Sequence, residues 1–432
     1  MNTNHRRRLQ AAAALGWMML LPFAARAEDW PQWRGPNRDG VWKETGILQT
    51  FPTNGLRIKW RAAVGYGFSS PVVAQGRVFV TDSQLDRPHL RERVLCFDEA
   101  TGKPLWTFSQ EATFPDWAFT PGQEQGPNGT AIVQGGRVYA PGPLGHRLFC
   151  LSASKGELIW QKDLVKEYQV EETSSLASSP LLDGDRLILL PGGKPDACVV
   201  ALDRSTGKEV WRALNEPAAP SSPVLIRVGG ARQLIVWTTQ SVTSLNPRTG
   251  QPYWREGFRS SSMDAVATPV FSNHRLLIGG LMLRLDADKP GASVVWPEAI
   301  SRRVLSSTST PLLLGDHVFS ATSSGLLTCW EAVAGKQVWE TDKATDRAYK
   351  SSTSIHLTVN GDSVLLFNDR GELIRARLTA QGYSEMSRAA VVTPTYPFSG
   401  RKVAWAAPAY ANRHIFARSD KELVCASLAE KP

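Results

Sequence analysis

Between residues 56 and 428 short apolar runs alternate with turn residues, and no stretch sustains a helical period. One unit opens on Ser69-Ser70-Pro71 and a brief apolar run, turns at Gln75-Gly76, and continues through Arg77-Val78-Phe79-Val80 and Val94-Leu95-Cys96-Phe97. It then passes a Thr-Gly turn into a segment carrying Trp106. These are hairpin signals, and they predict four antiparallel strands per unit. The same opening recurs at Ser178-Ser179-Pro180, Ser221-Ser222-Pro223, Thr268-Pro269, Ser309-Thr310-Pro311 and Ala407-Pro408. Proline cannot donate to a ladder, so the first strand of each unit is expected at the edge of its sheet.

The units end on Trp106, Trp160, Trp211, Trp254, Trp296, Trp339 and Tyr383, at spacings of 54, 51, 43, 42, 43 and 44 residues. Such a period belongs to radial or solenoid repeats. With the first strand lining a channel and the Trp strand outside, the fold class is all-β: an eight-bladed β-propeller of four-stranded antiparallel blades. The last unit (Pro408-Ala409-Tyr410, His414 to Ala417, Leu423 to Ala426) stops short of a Trp strand, whereas Leu56-Arg57-Ile58-Lys59-Trp60 is a fourth strand lacking its first three. The N-terminal strand is therefore expected to complete the last blade. The division that follows is a signal peptide at 1–27, an N-terminal strap at 28–55, the propeller at 56–428 and a tail at 429–432.

Residues 1–27 have a basic start (Arg6, Arg7, Arg8), an apolar stretch from Ala11 to Phe23 and a small-x-small site at Ala25-Arg26-Ala27, the pattern of a secretory signal. The apolar stretch is shorter than the roughly 20 residues of a spanning helix. A periplasmic or extracellular, monomeric protein with no membrane span in the mature chain is expected. Removing the signal takes four arginines and no acids, so the formal charge falls from +9 to +5, without charge blocks, which argues against a nucleic-acid surface. Cys96, Cys150 and Cys329 each precede their Trp by ten residues, and Cys425 and Cys198 occupy similar strands. Equivalent positions in neighbouring blades lie roughly 10 Å apart, too far for a disulfide, so five buried free thiols are expected.

The segments Asp98-Glu99-Ala100-Thr101-Gly102-Lys103-Pro104-Leu105-Trp106 and Asp203-Arg204-Ser205-Thr206-Gly207-Lys208-Glu209-Val210-Trp211, with the Ser-Ser-Pro openings, resemble the repeats of the pyrroloquinoline-quinone-type eight-bladed propellers over residues 56–428. The resemblance implies that Trp60, Trp106, Trp160, Trp211, Trp254, Trp296 and Trp339 dock one blade on the next. The opening Trp30-Pro31-Gln32-Trp33-Arg34-Gly35-Pro36-Asn37-Arg38-Asp39-Gly40 looks like the leader of a group of exported bacterial propellers. Two branches imply different functions. Quinoprotein alcohol dehydrogenases use a quinone (PQQ) on an axial Trp, a Ca²⁺, an Asp base and commonly an adjacent-cysteine disulfide, and this chain has neither a Cys-Cys pair nor a Cys-x-x-Cys-His haem site. The other branch is the BamB-like propeller lipoprotein of the outer-membrane assembly machinery, a non-catalytic scaffold, whose lipidated cysteine is missing here.

Long connections are expected on one face of the disc, where function on such scaffolds resides. The longest holds Trp117, Phe119 and Glu124, a cluster able to anchor a partner. The segments 82–92, with Arg87, and 161–177, with Glu171, accompany it. Arg302, Arg303, Arg347 and Lys350 could form a basic arc toward an acidic partner. Asp264 is the weak candidate for a base or Ca²⁺ ligand. Histidines lack chelate spacing, and no metal or cofactor site is expected. The expectation is a non-catalytic scaffold binding a protein or cell-envelope partner, with a small PQQ- and Ca²⁺-dependent oxidoreductase or ligand-binding propeller as the alternative.

Overall fold

A computed structural model describes residues 28–86, 89–112, 126–142, 146–170, 177–261, 265–297, 309–345 and 353–430. The signal segment 1–27 lies outside these residues. Eight four-stranded antiparallel sheets form the ring. Seven are continuous in sequence: blade 1 (72–111), blade 2 (132–163), blade 3 (181–213), blade 4 (224–257), blade 5 (270–296), blade 6 (312–341) and blade 7 (355–390). Blade 8 combines Ala409–Ala411, His414–Arg418 and Glu422–Ser427 with Ile58–Ala63. There Trp60 lies opposite Cys425 and Ala63 opposite Glu422, so the N-terminal strand closes the ring as expected. It starts two residues later than the sequence pattern places it.

The Asp-x-x-Thr-Gly-Lys turn owes its composition to two contacts. The Asp98 carboxylate accepts from the Thr101 backbone N–H (2.9 Å) and hydroxyl (2.6 Å), and Asp203 repeats this with Thr206 (2.8 Å each). These bonds hold both carboxyls below their ordinary pKa. The tight turn puts Gly102 at φ +69° against the indole of Trp60, where a Cβ would meet Trp60 Cδ2 at 2.5 Å. The indole N–H then donates to Glu99 O of the same turn (2.8 Å).

Trp106 uses Ala153 O, Trp160 uses Arg204 O, Trp211 uses Pro247 O and Trp296 uses Ala332 O, while Gly156, Gly207, Gly250 and Gly335 lie against the respective indoles. Trp339 donates to Thr379 O of blade 7. Trp254 differs: its N–H goes to Gln233 Oε1 of its own blade (2.9 Å). It still packs on the core shared by blades 4 and 5.

The first strands stand innermost, as their prolines require. The hydroxyl residues that head the first strands, all but Thr130 followed by proline, join the blades in a chain of bonds. Ser70 N–H donates to Thr130 Oγ1, Thr130 N–H to Ser179 Oγ and Ser179 N–H to Ser222 Oγ, each at 3.0 Å, and Thr268 N–H donates to Thr310 Oγ1 at 3.1 Å. Apolar clusters fill the spaces between consecutive sheets. Residues 82–92 are a correction. The strands Arg77–Asp86 and His89–Asp98 extend through this stretch, because alternating residues there stay paired and partly buried, so its described residues are strand. The stretch 161–177 likewise begins as strand and a short helix, Leu164–Tyr168, N-capped by Asp163.

All five cysteines are free and buried. Burial pushes the thiols up, Cys96 and Cys198 to about 12 and Cys150 and Cys329 to about 11. A thiol reagent is expected to find no reactive cysteine in native protein at neutral pH and five in denatured, unreduced protein. Gly102→Ala should cost roughly 2–5 kcal/mol, combining left-handed backbone strain with a displaced indole. Gly76→Ala, at φ +73° with nothing within 4 Å, should cost only the strain, about 1–2 kcal/mol. Urea unfolding at constant m resolves the two.

Candidate functional site

The strap enters the channel from the face of the short first-to-second-strand turns. Trp30 and Val73 exchange backbone bonds of 2.9 Å, Val133 N–H donates to Pro31 O, and Trp42 N–H and Val359 O, with Val359 N–H and Gly40 O, form a further pair at 2.8 Å. Left-handed residues coil the segment between: Arg34 (φ 61°), Gly35 (φ 85°), Arg38 (φ 58°) and Gly40 (φ 71°). Gly35 is required, since a Cβ would stand 2.9 Å from the Trp30 ring. The coil projects Trp33, which donates to Thr268 Oγ1 (2.8 Å), and Arg38, which donates to Pro180 O (2.7 Å) and Ser179 O (3.3 Å). Arg34 folds back onto Asp39 O (2.9 Å) and Arg38 O (3.4 Å).

Beside the strap a cavity of about 20 Å³ is lined by Trp30, Trp33, Arg34, Gly40, Ser70, Thr310, His356, Leu357, Thr358, Ala407 and Pro408. Its field is positive. Burial pulls Arg38 down to about 9, with Arg34 adding repulsion, and Arg34 down to about 10 against the attraction of Asp39. Burial likewise depresses His356 to about 4, opposed by its Nε2 bond to Trp405 O (2.8 Å) and reinforced by Arg34. A carbonyl only accepts, so Nε2 carries the proton.

The opposite mouth is framed by the long fourth-to-first-strand connections. Phe68, from 64–71, and Tyr396, Phe398 and Trp405, from 391–408, form an aromatic cluster with centroids 4.6–5.7 Å apart. A ribbon, Tyr396–Phe398 with Arg401–Val403, presents it. Around it sit buried charges. Asp82 accepts two bonds from Arg93 (2.8 and 2.7 Å), and Asp369 pairs with Arg401 (2.5 Å). Arg418, fully buried, donates to Gly65 O (2.6 Å) and Thr81 O (2.8 Å). Glu92, bonded to Arg147 at 2.7 Å, is raised to about 7 by burial acting against that cation.

Arg87, Trp117, Phe119, Glu124, Glu171, Asp264, Arg302, Arg303, Arg347 and Lys350 all lie outside the described residues. The described strand ends that flank them belong to the long-connection face. The sequence reading missed the described part of both mouths. The strap's inward residues sat in a segment read only as a leader, and the cluster at 68 and 396–405 followed no repeat position. One signal was available: Tyr396, Phe398 and Trp405 place three aromatics within ten residues of a single fourth-to-first connection.

The residues lining the cavity beside the strap do not fit a quinone with its Ca²⁺. That cavity suits one or two water-sized groups, and its lining contains no carboxylate. Among the described residues no group of three or more His, Cys, Asp or Glu could hold a metal, and no helix is long and apolar enough to cross a membrane.

The ring, its Trp-on-turn docking and its closure define a propeller of the pyrroloquinoline-quinone-like class. The family model described as outer membrane protein assembly factor BamB matches residues 90–285 and 238–431, and the chain belongs to that family. The BamB of Shewanella oneidensis is 24% identical over 264 residues, 56% of this chain and 62% of that protein, so the match spans less than two thirds of the relative. Among solved structures, BamB from Moraxella catarrhalis superposes with a TM-score of 0.54 at 17% identity, covering 86% of this chain and 97% of that one. Quinohemoprotein alcohol dehydrogenase from Comamonas testosteroni gives 0.65 at 15% identity, covering 94% and 81%. At these identities both structures speak for the fold alone.

His356 makes stability depend on pH. Its folded pKa is depressed below the ordinary 6.5 to about 4, so between these values the unfolded chain binds more protons, and the contribution present above pH 6.5 is lost as pH falls toward 4. His356→Gln should flatten the acid limb of stability between pH 6.5 and 4, as read by urea unfolding at fixed ionic strength.

Proposed function

We propose that this protein is an exported, non-catalytic propeller scaffold that binds a protein or cell-envelope partner through its long-connection face. The strap carries this reading. Trp33, Arg34 and Arg38 fill the channel, with Trp33 and Arg38 reaching Thr268, Ser179 and Pro180 at the head of the inner strands, so the surface on offer is the long-connection face beyond them. Membership in a family described as an outer membrane protein assembly factor supports a scaffold role. The aromatic cluster around Trp405 supplies an anchoring surface of the kind that dominates protein interfaces. Trp117 and Phe119 would extend it, and Arg302, Arg303, Arg347 and Lys350 would steer an acidic partner. After loss of residues 1–27 the protein would act in the periplasm or outside the cell.

The competing reading is a small quinone- and Ca²⁺-dependent oxidoreductase with Asp264 as base, which the likeness to the quinohemoprotein fold keeps in play. Two measurements separate them. PQQ with Ca²⁺ should leave the melting temperature unchanged, whereas a ligand at a hundred times its Kd would add about 2.7 kcal/mol. Photoreactive residues at positions 117 and 302 should cross-link to envelope proteins in cells, and one at Asp185, in a short turn on the other face, should not. Saturable stabilisation with dye-linked alcohol oxidation, lost in Asp264→Ala, would replace the scaffold reading with the enzyme.

A further inference from the structure

The chain of hydroxyl-to-amide bonds around the channel is interrupted beside the cavity. Thr130, Ser179, Ser222 and Thr310 each accept an amide N–H through the side-chain oxygen. Ser70, in the same position of blade 1, has its own N–H bonded to Thr130, but its Oγ is buried with no hydrogen-bond partner. Ser70 is 4% exposed and lines the cavity. A buried hydroxyl left unpaired costs about 1–3 kcal/mol, so the site is incomplete as it stands.

Two titratable side chains line the same space, Arg34 from the strap and His356 from blade 7, and Arg38, on which the Arg34 charge acts, has its Nε buried and unpartnered. The lining holds no carboxylate to balance them. Asp39, whose charge acts on Arg34, is exposed. Trp30 and Trp33 supply apolar walls, which strengthen any charge–charge attraction inside.

We propose that this cavity is an anion site, taking one carboxylate-sized anion that accepts the Ser70 hydroxyl and neutralises Arg34 where the strap faces the inner strands of blades 1, 6, 7 and 8. A bound anion would fasten the strap to the ring, because Arg34 belongs to the strap while Ser70 and His356 belong to the blades. The volume fits a single planar group such as formate or nitrate and excludes a whole cofactor. The same group could arrive as a free ion or as the carboxylate end of a longer molecule.

The test uses the mature full-length protein and isothermal titration with sodium formate, nitrate and butyrate at constant ionic strength, alongside thermal melts. Formate and nitrate should bind with one-to-one stoichiometry and raise the melting temperature saturably. Ser70→Ala, which keeps the backbone bond to Thr130, should weaken formate binding about tenfold, the loss expected for one hydrogen bond to a charged group. Arg34→Gln should weaken it further, and if that variant fails to fold, Ser70→Ala alone still decides. Rejection of butyrate assigns a free ion, and butyrate binding that is lost in Ser70→Ala assigns the carboxylate terminus of a longer ligand. Absence of saturable heat, or formate binding unchanged in Ser70→Ala, would overturn the proposal and leave ordered water in the cavity.

Discussion

The fold depends on a flat contact between an indole and a glycine. Each blade is a small sheet that cannot bury its faces alone, and it becomes stable only when its neighbour covers it. The Trp of one fourth strand lies on the left-handed glycine of the next blade's last turn and donates to a carbonyl of that same turn. Sequence, turn conformation and inter-blade geometry are thus fixed together. The Asp that caps the turn makes the glycine position possible, the glycine admits the ring, and the ring sets the angle between blades.

Much of this architecture was legible in the chain because it repeats. Strand number, the innermost place of the Ser-Ser-Pro strands, ring closure by the segment around Trp60 and the isolation of the cysteines all follow from positions that recur. What repeats less was harder to read. Trp254 carries the repeat's aromatic but satisfies its N–H within its own blade through Gln233, a partner on another strand that is invisible in the Trp itself. Residues 82–92 look polar enough for a loop, yet Asp82 and Glu92 are buried against Arg93 and Arg147, so strand pairing continues beneath the charges.

The site was the least legible part, for a physical reason. Both mouths are built from segments outside the repeat, and their contacts join positions far apart in sequence: Trp33 with Thr268, Arg38 with Pro180, Phe68 with Trp405. No local period encodes such pairs. The sequence did direct attention to the long connections, and the described ribbon at 396–403 lies in one of them. It could not show that the strap turns its arginines into the channel, since that depends on left-handed residues at Arg34 and Arg38 that local propensity does not favour.

Ring closure also has a kinetic side. Ile58–Ala63 precedes all seven continuous blades in synthesis, yet its hydrogen-bonding partner, Glu422–Ser427, follows them all. Until residues 422–429 are made, the first strand has no ladder to join, and the strap's docking on Ile47↔Ala429 is also out of reach. Pairing of such high sequence separation carries the largest loop-closure entropy in the molecule and slows the final step. The seven continuous blades can assemble as an open arc, leaving an unpaired edge exposed at its end while the chain is finished. A nascent propeller of this design is therefore most vulnerable to self-association just before the partner of its first strand, Glu422–Ser427, is made.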